Sequence, residues 1–182
     1  GGYAEIFRRN ALYSGVVPQI SVMLGPCAGG AAYSPALTDM IIMVEKHSYM
    51  FLTGPQVIKA VTGEVIDTES LGGADVHLSI SGTAHLAAKT EQEALETCRR
   101  VLSYLPSNNV ENPPFVQPND HPLRMDEELN SIVPIDASVP YSMHDVIEHI
   151  VDQGSFLEVQ PTWARNAIVG LARIGGHSVG II

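Results

Sequence analysis

The sequence predicts an α/β fold on three observations: strand-like and helix-like segments alternate, a glycine-rich turn follows the first apolar strand, and a proline-rich stretch separates two groups of segments. Its 182 residues carry 10 Lys and Arg against 20 Asp and Glu, a net charge of −10 that repels phosphate backbones and excludes a nucleic-acid partner. Hydrophobic residues make up 45% and charged residues 16%, which suits a packed core and not a disordered chain. The longest apolar runs, such as Ile41 to Val44, fall far short of the roughly 20 residues of a membrane span. No signal-like segment is legible, and Cys27 and Cys98 lack metal-type spacing. These features point to a reducing compartment, the cytoplasm or, in a eukaryote, the mitochondrial matrix.

Taken in order, Tyr3, Ile6, Phe7 and Ala11 repeat at helical intervals, so the chain opens within a helix. Pro18–Leu24 reads as a buried strand running into the small-residue turn Gly25–Ala32. Ser34-Pro35 starts a short helical segment, Met40–Val44 a second strand and Tyr49–Thr53 a third. Gly54-Pro55 opens a helix to about Val61, and 63–67 and 71–74 read as loop and turn. Thr90 and Glu93 have capping-box spacing ahead of a helix that Pro106 stops. Five prolines between Pro106 and Pro122 make a linker, because proline fixes φ and removes a backbone donor. Beyond it, Ser142 and Asp145 open a helix with Val146, Ile147, Ile150 and Val151 on one face, closed by Gly154. Ala167–Ile174 and His177–Ile182 form a hairpin around Gly175-Gly176. Both termini fall inside elements, so the sequence reads as a fragment of a longer polypeptide.

Chemistry concentrates in Cys27-Ala28-Gly29-Gly30-Ala31-Ala32. Such a run lets backbone N–H groups approach a ligand, and a following helix adds its positive end. Two such donors suit a thioester oxyanion. Tight strand-to-helix packing without a ligand explains the same run equally well. A nucleotide loop does not, since neither G-x-x-x-x-G-K-[ST] nor G-x-G-x-x-G is present.

Gly25-Pro-Cys-Ala-Gly-Gly-Ala-Ala-Tyr-Ser-Pro-Ala-Leu-Thr-Asp39 closely resembles the corresponding segment of biotin-dependent acyl-CoA carboxyltransferases of the propionyl-CoA carboxylase β and methylmalonyl-CoA carboxyltransferase type. Further segments in family order are Phe51-Leu-Thr-Gly-Pro-Gln-Val-Ile-Lys59, Leu71-Gly-Gly-Ala-Asp-Val-His77, Ser81-Gly-Thr-Ala-His85, Leu102-Ser-Tyr-Leu-Pro-Ser-Asn-Asn109 and Asn166-Ala-Ile-Val-Gly170. The resemblance implies a crotonase-like ββα superhelix in a two-domain carboxyltransferase, present here in part. It implies that residues 1–110 are the later part of an N-terminal acyl-CoA-binding domain, 111–125 a linker, and 126–182 the start of a C-terminal biotin-binding domain. It also implies carboxyl transfer from carboxybiotin to the α-carbon of a short acyl-CoA, with propionyl-CoA giving methylmalonyl-CoA. Gly29 and Gly30 would form the oxyanion hole, with Ala28, Ala31 and Tyr33 binding substrate. The expected partners are a biotin carrier or biotin carboxylase subunit and further copies of the chain, with the active site between subunits and no metal on this chain.

Other residues are weighed beside these. His77 and His85 read as hydrogen-bonded turn histidines rather than a catalytic or metal pair, because their spacing fits no zinc pattern. His144 and His149, five apart on one helix, read as solvated. Cys27 reads as an apolar filler, Tyr49 and Phe51 as core, and Lys46 and Lys59 as surface residues. Glu64 and Asp67 are the candidate acid/base carboxylates of the alternative function, a crotonase-type hydratase or isomerase. A catalytically silent oligomeric scaffold is the non-enzymatic alternative.

Overall fold

The computed structural model describes residues 2–121 and 123–182, so Pro122 of the expected linker lies outside the described residues. Helix α1 (Gly2–Tyr13) leads into β1 (Ile20–Met23) and β2 (Pro26–Ala28). One 3-10 turn, Gly29–Ala32, then joins β2 to the four-residue helix α2 (Tyr33–Ala36). Strands β3 (Met40–Val44) and β4 (Tyr49–Phe51) follow, then helices α3 (Pro55–Thr62) and α4 (Thr68–Gly72), a π-helical turn at Val76–Ile80, β5 (Leu86–Ala88) and α5 (Glu91–Leu102). After a long segment without strands among the described residues come α6 (Leu129–Ile132), α7 (Met143–Ile150), β6 (Leu157–Val159), β7 (Val169–Ile174) and β8 (His177–Ile181).

Among the described residues the strands form three small sheets: parallel β1-β3-β5, parallel β2-β4 and antiparallel β6-β7-β8. β3 is the central strand of the first sheet, and its two faces enter two different cores. Ile41 and Met43 pack with Met23, Ala32, Met50 and Leu78. Ile42 and Val44 pack with Leu86, Ala94, Val101, Tyr104 and Leu157. Burial on both faces explains why the strand reads as a continuous apolar run instead of alternating. Leu157 comes from beyond the proline-rich stretch, so the second core is closed by residues on both sides of it.

The helix ends follow their sequence signals. Pro55 sits in the first turn of α3, and Gly63, with φ +77°, closes it in the left-handed conformation. Thr90 Oγ1 accepts from the Glu93 N–H (3.1 Å). The Glu93 carboxylate accepts from the Lys89 N–H (2.7 Å), one residue earlier than a strict capping box. Ser142 caps α7 as expected, but the helix ends at Ile150 rather than near Gly154, leaving Ile150 exposed. In the hairpin, Gly175 and Gly176 have φ of +57° and +83°, as a two-residue turn of this kind requires. The Asp152 carboxylate accepts both of their N–H groups (2.8 and 2.7 Å).

Several elements differ from expectation. The stretch 71–74, expected as loop, includes the end of α4, which Asp67 caps by accepting from the Ser70 N–H (2.8 Å). Pro26–Ala28, expected within the glycine turn, is a strand because β4 lies parallel beside it. β5, β6 and α6 are three or four residues long, too short to show a period.

Candidate functional site

Gly29 and Gly30 open the turn between β2 and α2. The first N–H groups of a helical turn have no acceptor within it. In the parallel ladder of β2 and β4 the Ala28–Phe51 pair brings the Gly29 N–H against the Phe51 carbonyl, and the Gly30 N–H is the next donor of the turn. Gly29 has φ +62°, a conformation that side-chain-bearing residues rarely adopt. Gly30 is exposed, and a Cβ built on it would meet nothing within 4 Å. The result is a glycine turn within a run from Ala28 to Ala32 that has no titratable side chain.

The turn rests on the strand pair beneath it. Ala28 is extended (φ −125°, ψ 152°) and pairs in register with Phe51, while Ala32 is buried in the first core. Cys27, in register with Met50, is half-buried, and burial pushes its thiol pKa up, away from a reactive thiolate. The expected helix dipole is weaker than foreseen. With only four residues in α2, the field before the turn comes chiefly from the turn's own peptide groups.

The other expected residues fall in varied places. Ala31 is half-buried within the turn, whereas the Tyr33 ring packs edge-on against Phe7 of α1 at 5.9 Å. Glu64 is exposed in the loop after α3. Asp67 is committed to capping α4, and the Ser70 hydrogen bonds hold its carboxyl below the ordinary carboxylate range. Lys46 and Lys59 are exposed, and the Tyr49 hydroxyl donates to the Lys46 carbonyl (3.2 Å). His77 and His85 do not converge. His77 reaches the Met50 carbonyl, while His85 Nδ1 accepts from the Ile41 N–H (3.0 Å) at the start of the central strand. His144, exposed as expected, lies 2.9 Å from Glu158, and His149, partly exposed, lies 2.8 Å from Glu128. Among the described residues, no three His, Cys, Asp or Glu side chains are grouped to hold a metal ion. No helix among them is long and apolar enough to cross a membrane.

The carboxyl transferase domain profile matches residues 1–182. The chain belongs to the carboxyl transferase domain family. It is 57% identical over 182 residues to the propionyl-CoA carboxylase carboxyltransferase subunit of Haloferax mediterranei, covering 100% of this chain and 35% of that relative. It is 49% identical over 189 residues to the biotin-dependent acetyl-/propionyl-coenzyme A carboxylase beta5 subunit of Mycobacterium leprae, covering 100% of this chain and 34% of that relative. A solved transcarboxylase 12S structure, described as a hexamer with hydrolyzed methylmalonyl-coenzyme A bound, superposes with a TM-score of 0.93 at 50% identity. That superposition covers 98% of this chain and 35% of the other. The carboxyl transferase chain therefore spans about a third of the length of the relatives it matches, and its fold is part of the crotonase-like carboxyltransferase architecture.

Two histidines of this carboxyl transferase chain give opposite pH dependences. Burial holds the His85 pKa below its ordinary value near 6.5. Its contribution to stability is therefore complete above about pH 6.5 and is lost as the pH falls toward the depressed folded value. The His149 pKa is raised, first by its bond to the Asp145 carbonyl and then by Glu128. That contribution is complete below about pH 6.5 and is lost as the pH rises through the raised value. His85→Asn keeps an acceptor without the titration, so melting temperature should fall less between pH 6.5 and 5 in this variant than in the parent. Parallel melting curves would remove the assignment to His85.

Proposed function

We propose that this chain supplies the acyl-CoA half of a biotin-dependent carboxyl transfer, with propionyl-CoA as acceptor and methylmalonyl-CoA as product. The turn formed by Gly29, at φ +62°, and the exposed Gly30 carries this reading. Both N–H groups are aimed at the thioester oxygen, Gly29 sharing its proton with the Phe51 carbonyl, and stabilise the enolate that forms when the α-proton leaves; one such donor is typically worth about 10²–10³ in rate. Ala28 and Ala31 keep the approach to that oxygen clear, and Tyr33 borders it. Biotin, on a separate carrier, supplies the carboxyl group, and no residue of this chain is assigned to hold it. The turn has no side chain able to accept a proton, so its part in the reaction is orientation and charge stabilisation.

On this reading 1–110 is the acyl-CoA-binding part, 111–125 the linker and 126–182 the start of the biotin-binding part. The active site lies between copies of the chain, which works with a biotin carboxylase and carrier in the cytoplasm or mitochondrial matrix. The names of the relatives support the reaction class, and the roles of the candidate acids weigh against hydration, since Glu64 is exposed and Asp67 caps a helix.

The test uses the native polypeptide containing this chain, incubated with methylmalonyl-CoA and free biotin. Biotin-dependent decarboxylation is expected. Hydration of crotonyl-CoA without any effect of biotin would replace carboxyl transfer with the crotonase-type reaction.

A further inference from the structure

β4 carries the strand pair on which the glycine turn stands, and the carbonyl of its central residue, Met50, has an unusual partner. His77, 27 positions away in the π-helical turn, places Nε2 2.6 Å from the Met50 oxygen. A carbonyl only accepts, so Nε2 carries the proton. Ser81 Oγ lies 2.9 Å from Nδ1 and 2.9 Å from Thr83 Oγ1, and accepts from the Thr83 N–H (3.3 Å), so the ring is held at both nitrogens. The π-helical turn is itself anchored: the Ser81 N–H donates to the Val76 carbonyl (2.9 Å), and Leu78 is buried in the core that also holds Met50 and Ala32.

The neighbouring packing leaves the Met50 carbonyl little freedom. Met50 is only 5% exposed, and a side chain on Gly72 would collide with its carbonyl oxygen. Met50 is in register with Cys27, two residues before Gly29, and the Leu52 carbonyl lies 3.8 Å from where a Cβ on Gly29 would stand. A shift of β4 therefore moves the Gly29 and Gly30 donors, and misplacing catalytic donors by about 1 Å can cost about 10²-fold in rate.

We propose that His77, oriented by Ser81, is a positioning residue that sets the Gly29 and Gly30 donors through the Met50 carbonyl. The inference rests on the carboxyl-transfer reading. It is tested in the native polypeptide by comparing His77→Leu, which cannot donate, with His77→Gln, whose amide can. His77→Leu should lower kcat about 10- to 100-fold with KM for acyl-CoA and oligomer assembly unchanged, and His77→Gln should restore most of the loss. Unchanged kcat in His77→Leu would overturn the proposal. So would a loss in both variants accompanied by disassembly, which would assign His77 to the fold alone. A parent enzyme without biotin-dependent turnover would overturn the carboxyl-transfer reading and any role of His77 within it.

Discussion

Gly30→Val is expected to lower kcat by at least about 10²–10³-fold while leaving assembly and melting temperature close to those of the parent. The separation follows from the two sides of this residue. A Cβ at Gly30 meets nothing within 4 Å, so the fold has room for it, whereas a branched side chain there would crowd a ligand approaching the turn. Gly29→Val should lose as much activity for a different reason. At φ +62° a β-branched residue is strained, so this variant should also melt at a lower temperature. Steady-state kinetics beside thermal unfolding separates the two. Full activity in both variants would remove the oxyanion role.

Arg173→Met is expected to destabilise the chain by about 2–4 kcal/mol, because it breaks a clamp between segments on either side of the proline-rich stretch. Arg173 of β7 is 8% exposed, and its Nη2 donates to the Ser103 carbonyl (2.6 Å) and hydroxyl (3.0 Å) at the C-terminal end of α5. Last-turn carbonyls lack intrahelical partners, and the helix end attracts a cation. The guanidinium also lies 4.0 Å from the centroid of the Tyr104 ring, whose hydroxyl donates to the Ser155 carbonyl. Arg100 adds bonds to the Gly154 and Phe156 carbonyls (3.3 and 2.8 Å). Against these gains, Arg173 Nε is buried without a partner, which keeps the expected loss moderate. Arg173→Lys should recover little, since an ammonium lacks the planar fork and its stacking face. A urea midpoint unchanged in Arg173→Met would show that the clamp does not hold the halves together.

The contrast between β3 and β5 shows what the sequence makes legible. Met40–Val44 stands out because both faces of a central strand are apolar, whereas Leu86–Ala88 is three residues long and is a strand only because β3 offers it an edge. The same holds for β2, which depends on β4. α4 carried a local signal in Asp67 and Ser70, but the glycines at its end resemble a turn; Gly72 is there because the Met50 carbonyl leaves no space for a side chain. At the candidate site, Gly29 and Gly30 are legible in the small-residue run and in the family resemblance. The His77 contact with Met50 is not, because it joins residues 27 positions apart and exists only once β4 and the π-helical turn are packed together.

An oxyanion role for Gly29 and Gly30 is tested most directly on the thioester carbonyl itself. Propionyl-CoA labelled with ¹³C at that carbonyl would be bound at saturation to the native oligomer and its stretching frequency read by isotope-edited infrared spectroscopy. Two donors on one oxygen weaken the C=O bond, so the band should move to lower wavenumber than in water, and Gly30→Val should lose the shift. A bound thioester whose carbonyl band stays at its aqueous position would contradict the assignment.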